Sequence, residues 1–233
     1  MKQFVKRKIR YPGRPDTAEI RRLIDQDRHP GWPYCPPDEG DLLYLLAQQA
    51  PGTRMLEVGC ATGSTSVYML AGMLDGKLTS IDFAHGDHGR SGEKLIARGG
   101  FAGRHTLVER NSIETLPEMF LDGDRFGLIF LDGWKSFDHL WVDTFYCAKM
   151  LEVGGYIMFD DARMPAVRKA VRLLKSHYGF EPVDGYAMVG GRALRLWHAL
   201  IARSVNPHYL ALSKPRDISD TPAGRIFDFW APF

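Results

Sequence analysis

The chain has few cysteines, little net charge and no long apolar run. Three cysteines, Cys35, Cys60 and Cys147, are scattered among 233 residues. Their number and spacing exclude a disulfide framework or a zinc finger and suit reduced thiols in a cytoplasm. A formal net charge of +2 gives no concentrated basic field of the kind that nucleic-acid binding calls for. No stretch is apolar enough to suggest a membrane span. The basic segment Lys2 to Arg10 has no apolar stretch behind it, so a secretory signal is not expected. Internal repeats and low-complexity tracts are also missing. What remains is a chain that is 45% hydrophobic, enough for one sizeable core but cramped for two full domains.

The most informative stretch is Met55-Leu56-Glu57-Val58-Gly59-Cys60-Ala61-Thr62-Gly63-Ser64-Thr65. An apolar run ends in a glycine turn, and a helical pattern follows through Val67, Tyr68, Leu70 and Met73. Gly59 and Gly63 allow turn conformations and close approach of a ligand to the backbone. The helix start beyond them offers N–H groups to an anion. A second strand, Leu78-Thr79-Ser80-Ile81, ends in Asp82, about 20 residues past the loop, where a carboxylate can hold ribose hydroxyls. A plain α/β turn would carry a glycine too. The full Gly-x-Gly-x-x-Gly dinucleotide fingerprint is incomplete, which disfavours a nicotinamide dehydrogenase without removing it.

Strand and helix patterns alternate along the chain. A helix is expected from Thr17 to Ile24, a proline-rich loop over His29–Pro37, and a second helix through Leu42, Leu43, Leu45 and Leu46 with Asp38 as its cap. Strands are expected at about Arg54–Gly59, Lys77–Asp82, His105–Glu109, Phe126–Asp132 and Tyr156–Asp160. The continuous apolar runs Leu128–Leu131 and Tyr156–Phe159 are those of strands buried on both faces. After a helix at Ala166–His177, Phe180–Val189 and Ala193–Leu200 form a closing strand pair. The fold class is therefore α/β: a Rossmann-like, doubly wound sheet, mostly parallel, with a C-terminal antiparallel pair and helices on both faces. Residues 1–37 are expected to form an N-terminal cap segment and 38–201 the catalytic domain. Residues 202–233 form a tail whose aromatics, Phe227, Phe229, Trp230 and Phe233, call for docking on the domain or on a partner subunit.

Chemistry-bearing residues gather after two strands. One ends in Leu131-Asp132-Gly133-Trp134-Lys135 and the other in Phe159-Asp160-Asp161. In a parallel sheet both ends lie on the edge that carries the glycine loop. Three converging carboxylates repel one another, and a divalent cation with oxygen ligands, such as Mg²⁺, resolves that conflict. The alternative is that Asp160 or Asp161 caps the next helix and Asp132 orients a loop. A lysine next to a bound cation suits a general base, although any single lysine is as often a solvated one. His139, one helical turn on, is a weaker base candidate. Trp32 and Tyr34 either close over an aromatic acceptor or pack the N-terminal segment. Asn206-Pro207-His208-Tyr209 reads as a turn.

The loop Glu57-x-Gly59-x-x-x-Gly63 resembles the first motif of class I S-adenosylmethionine (SAM)-dependent methyltransferases. That resemblance implies Glu57 among the cofactor-binding residues, Gly59 and Gly63 beside the methionine part of SAM, Thr65 near its carboxylate and Asp82 on the ribose. Asp132-Gly133-Trp134-Lys135 is similar to the Asp-x-Trp-Lys element of catechol O-methyltransferases. It implies Asp132 as a Mg²⁺ ligand, Trp134 lining the cofactor and substrate pocket, and Lys135 as the catalytic base. Asp160-Asp161 matches that family's Asp-Asn metal pair, Pro165 a pocket-lining proline, and Ser112 a serine near the adenine. Asp-Asp, with Asp132-Gly133, is also found in bacterial O-methyltransferases of the macrolide-sugar type. The resemblance spans roughly Asp38 to Lys169 and implies a cytoplasmic, SAM-dependent, Mg²⁺-assisted O-methyltransferase. Its acceptor would be a small-molecule hydroxyl, aromatic or sugar, with no nucleic acid or membrane involved. A metal-independent methyltransferase, a non-catalytic SAM-binding protein and a homo-oligomeric assembly stay open on sequence alone.

Overall fold

The computed structural model describes residues 15–183 and 208–218. The elements run α1 (Ala18–Gln26), α2 (Pro37–Gln49), β1 (Arg54–Val58), α3 (Ser64–Gly72), β2 (Lys77–Ile81), α4 (Ser91–Arg98), β3 (His105–Val108), α5 (Ser112–Leu121), β4 (Phe126–Leu131), α6 (Phe137–Met150), β5 (Leu151–Phe159), α7 (Pro165–His177), β6 (Glu181–Pro182) and β7 (Leu210–Ser213). The strands form one sheet in the order β3-β2-β1-β4-β5-β7-β6. Pairings among β1 to β5 are parallel, while β7 runs antiparallel to both β5 and β6.

The alternation of side chains along the central strands builds two cores, one on each face. Met55, Leu128, Phe130, Tyr156 and Met158 point to the face covered by α1 to α4, where they meet Leu42, Leu46, Val67 and Leu95. Leu56, Val58, Ile129, Leu131, Ile157 and Phe159 point to the other face and meet Leu140, Cys147, Val167 and Leu174 of α6 and α7. Every residue of β4 is buried, as a central parallel strand between two helical layers requires.

The order of strand addition reverses between β1 and β4: β2 and β3 lie to one side of β1, β4 and β5 to the other. The loops after β1 and β4 therefore diverge and leave a crevice at the carboxyl edge of the sheet. All three cysteines are buried and free. No helix among the described residues is long and apolar enough to cross a membrane.

Three expectations change. Asp38 does not cap α2: Pro36 occupies that position with Pro37 in the first turn, and the Asp38 carboxylate instead accepts a hydrogen bond from Tyr209 Oη at 3.0 Å. Neither Asp160 nor Asp161 caps α7, whose N-terminal flanking residue is Met164. A strand at Leu210–Ser213 pairs antiparallel with β5 and β6, so the sheet reaches into the segment set aside as a tail. The stretch Ala193–Leu200, Asn206-Pro207 and the aromatic tail 227–233 lie outside the described residues.

Candidate active site

The loop after β1 is shaped from within. Gly59 sits at φ +92°, and a Cβ there would lie 2.4 Å from the Asp132 carbonyl oxygen, so only glycine fits between the diverging loops. Ala61 takes φ +44°, a rare conformation for a side-chain-bearing residue. The turn is held by Asp82, whose Oδ2 accepts from Cys60 N at 2.9 Å and Ala61 N at 2.7 Å, while Oδ1 accepts from Ala84 N at 2.9 Å. Beneath it, the fully buried Glu57 carboxylate accepts hydroxyl hydrogen bonds from Thr65, from Ser66 at 2.6 Å and from Ser80 at 2.6 Å. Burial raises the pKa of Glu57 from its ordinary value, and the three hydroxyls oppose that shift.

A cavity of about 530 Å³ opens above this loop. Its walls include Gly59, Thr65 and Asp82 on one side, Asn111 and Ser112 from the start of α5, and Asp132, Trp134, His139 and Asp160 on the other. Its roof is the proline-rich loop with Tyr34 and Cys35. That loop is tied down by Thr62 Oγ1 to Pro33 O at 2.7 Å, Cys35 N to Ser64 Oγ at 2.8 Å and Tyr34 Oη to Asp27 O at 2.9 Å. Trp32 is not part of the wall: it stacks on His29 and meets His88 edge-on, which favours its packing role.

At the far end the carboxylates converge. Asp132, Asp160 and Asp161 each offer an oxygen, and the three oxygens lie within 4.8 Å of one another. Asp161 reaches the cluster from a left-handed backbone, φ +52°. Lys135 Nζ stands 2.7 Å from Asp132 Oδ1 and 3.8 Å from Asp161 Oδ2. Burial pushes Asp132 above the usual carboxylate range, Lys135 opposes that and the neighbouring Asp160 adds to it. All-oxygen donors in this arrangement suit a hard divalent cation.

Of the residues singled out from sequence, Gly59, Thr65, Asp82, Ser112, Asp132, Trp134 and Asp160 line one cavity. Glu57 and Gly63 do not: Glu57 organises the loop from below, and Gly63 (φ +74°) packs its α-carbon side against Gly92. Asp161 and Lys135 stand behind Asp132, and Pro165 forms the first turn of α7 away from the wall. Sequence reasoning missed Glu39. This residue of α2 is 3% exposed, lines the cavity and touches Asp160, and burial followed by repulsion from Asp160 and Asp132 drives its carboxyl up to about 9. It also missed Asp143 of α6, raised to about 6 by burial and partly offset by a hydrogen bond from Ser112.

A glycine-turned β1 loop, an acidic residue ending β2 and acidic ends on β4 and β5, all on one sheet edge, meet their counterpart in known proteins. Residues 56–162 match a sequence family described as a methyltransferase domain. The chain is a SAM-dependent methyltransferase. A protein of Mycobacterium sp. (strain JLS), named as an inferred O-methyltransferase, is 28% identical over 163 residues, covering 63% of this chain and 72% of that one. The catechol O-methyltransferase of Mycobacterium tuberculosis is 24% identical over 180 residues, with 71% and 75% covered. In fold, the methyltransferase is similar to the O-methyltransferase TomG of Streptomyces achromogenes, solved with SAM (TM-score 0.56, 20% identity, 84% and 88% covered). The dehydrogenase alternative is left without support.

Proposed function

We propose that this methyltransferase moves the SAM methyl group to a hydroxyl oxygen of a small molecule, and that Asp132, Asp160 and Asp161 hold a divalent cation, Mg²⁺ first, beside that oxygen. The observation that carries the reading is the junction of two unlike regions in one cavity. A nucleoside-sized space lined by Gly59, Asp82 and Ser112 runs directly to a carboxylate corner containing Asp132 and Asp160.

In this reading Asp82 accepts a ribose hydroxyl with the lone pair on Oδ1 that its three backbone partners leave free. Thr65 and the backbone around Gly59 and Gly63 receive the methionine part, Ser112 stands at the adenine, and Glu57 supports the loop without touching the cofactor. SAM supplies an electrophilic methyl group on a sulfonium. A bound cation would acidify the acceptor hydroxyl. The acceptor oxygen forms a bond to the methyl carbon as the carbon–sulfur bond breaks and its electron pair returns to sulfur. The hydroxyl proton is taken by the base beside the oxygen, Lys135 in this reading. The walls would hold the oxygen in line with the methyl group. Tyr34 and the exposed Trp134 ring flank the opening, which favours a flat acceptor such as a phenol or catechol over a sugar.

A second base is favoured by one observation: His139 lines the cavity, whereas Lys135 stands behind Asp132. Separate Lys135→Ala and His139→Ala variants decide between them.

The deciding experiment is calorimetric titration of SAM into the protein, then methyl transfer from labelled SAM to phenols, catechols and sugar hydroxyls with Mg²⁺ or with EDTA. Saturable SAM binding with EDTA-sensitive transfer to a hydroxyl is expected. EDTA-insensitive turnover would move the reading to a metal-independent methyltransferase. SAM binding without any methylated product across the panel would leave a cofactor-binding protein.

A further inference from the structure

We propose that the aromatic segment Phe227-Asp228-Phe229-Trp230 docks on its own domain, in a groove of α7 rimmed by Arg168, Arg172 and Lys175. The inference stands apart from the cofactor and cation readings above.

A second cavity, of about 500 Å³, lies along α7 and shares no lining residue with the first. Its floor is apolar, made by Ala162, Val171 and Leu210. Val171 and Leu210 are only half-buried, so apolar surface is left open there. Its rim is Arg168, Arg172 and Lys175, whose spacing of four and then three residues puts them on one stripe of the helix. All three are exposed, and none has an acidic partner at ion-pair distance among the described residues. No acidic residue stands between Asp161 and Glu181, so α7 offers them no partner of its own.

A cationic rim over an apolar floor selects its occupant by chemistry. Arginine and lysine stems cover apolar surface while their charged heads stack on aromatic rings. A small anion would leave the floor wet, and an aliphatic segment would leave the cations unused. The segment Phe227–Trp230 carries three rings and the carboxylate of Asp228. Docked as extended chain, it turns Phe227 and Phe229 to the floor and Asp228 and Trp230 to the cations.

The chain leaves the described fold beside this groove. Ile218 is buried in the same core layer as Val167 and Leu174 of α7. The Arg216 guanidinium lies 3.7 Å from where a Cβ on Gly179 would stand, just past the end of that helix. Ser219–Ile226 extends up to about 26 Å, and α7 is about 20 Å long, so the aromatic segment reaches the whole groove. Left exposed, the rings of Phe227, Phe229, Trp230 and Phe233 would form an apolar patch prone to association.

The test is timed trypsin digestion of the full chain, with mass spectrometry following release of the peptide that begins at Ile226. Arg225 is the only trypsin site beyond Arg216, so the release rate reads how often the segment is undocked. The parent is expected to release it at least about tenfold more slowly than a free peptide of residues 219–233 is cut. Arg168→Glu with Arg172→Glu, and separately Asp228→Arg, should each speed release about three- to tenfold at an unchanged melting temperature. Asp228→Arg combined with Arg172→Glu should return the rate to within about twofold of the parent. Parent release as fast as the free peptide's overturns the proposal. So does a rate indifferent to both the groove and the tail charges, or a combined variant that does not recover. A parent rate that falls as protein concentration rises also overturns it, and assigns the segment to the groove of a second copy. Asp228→Arg changes no residue of the described fold, so it decides the matter even where the α7 variants unfold.

Discussion

The two ends of the cavity are built on opposite principles. At the β1 loop the acidic groups are answered from inside the fold: Asp82 by three backbone N–H groups, Glu57 by three hydroxyls. At the β4 and β5 ends, Asp132, Asp160, Asp161 and Glu39 crowd together, with Lys135 as a close cation among the described residues. The first end is a preformed mould that needs no ligand to be stable. The second carries uncompensated charge, which is costly in a partly buried site unless something positive is bound there. A cofactor site and a chemical site can thus be told apart by how completely their polar groups are paired.

The largest effect should break the chemical end alone. Lys135→Ala is expected to lower kcat by about 10²–10⁴-fold with SAM affinity unchanged. Steady-state kinetics and calorimetry on the same preparation check this, and full activity in the variant would pass the base role to His139. The mould should fail differently. Gly59→Ala pushes a Cβ to 2.4 Å from the Asp132 carbonyl at φ +92°. A destabilisation of about 2–4 kcal/mol should follow, with SAM binding lost. Thermal melts with and without SAM read both, and a parent-like melt would mean that the loop yields.

A third, smaller effect depends on pH. His105 of β3 bonds Ser80 Oγ at 2.9 Å, and Ser80 bonds Glu57. Burial, reinforced by His85, lowers His105 from its ordinary 6.5 to about 4. The unfolded chain therefore takes up this proton first. The stability contribution is complete above about pH 6.5 and falls away toward pH 4, by about 2–3 kcal/mol at most. Denaturant midpoints between pH 7 and pH 4.5 should show the decline, and His105→Gln should flatten it. A parent slope retained in that variant would locate the titration elsewhere. The smallest effect concerns Trp134, 62% exposed at the cavity mouth. Trp134→Ala should change stability by less than about 0.5 kcal/mol. It should raise the acceptor KM about three- to tenfold through lost ring contact. An unchanged KM would place the acceptor against another wall.

Much of the sheet was legible because burial on both faces leaves a strong mark. Leu128–Leu131 and Tyr156–Phe159 could hardly be anything but central strands, and β1 to β5 fall at or near their expected positions. The last strand was not legible. Leu210–Ser213 is four residues long and lies far along the chain from β6, and its place beside β5 depends on long-range pairing. The carboxylates after β4 and β5 were readable as strand-end residues, but their convergence was not. Spacing along the chain carries no distance across the sheet. Glu39 looked like any acidic residue in a first helical turn, where it would favour the helix start and face water. Only the packing of α2 against α3 and β4 buries it beside Asp160.

The sequence by itself determined the alternating order of strands and helices, the glycine turn after β1 and the types of group carried at each strand end. Those properties are local: periodicity, turn chemistry and the residue at a strand terminus are written within a few neighbours. The tertiary structure alone decided which groups face the cavity, why Glu57 supports the loop instead of lining it, and how Glu39 comes to meet Asp160. Those outcomes depend on strand order and helix packing, which bring residues more than a hundred positions apart within hydrogen-bonding distance, as with Tyr209 and Asp38.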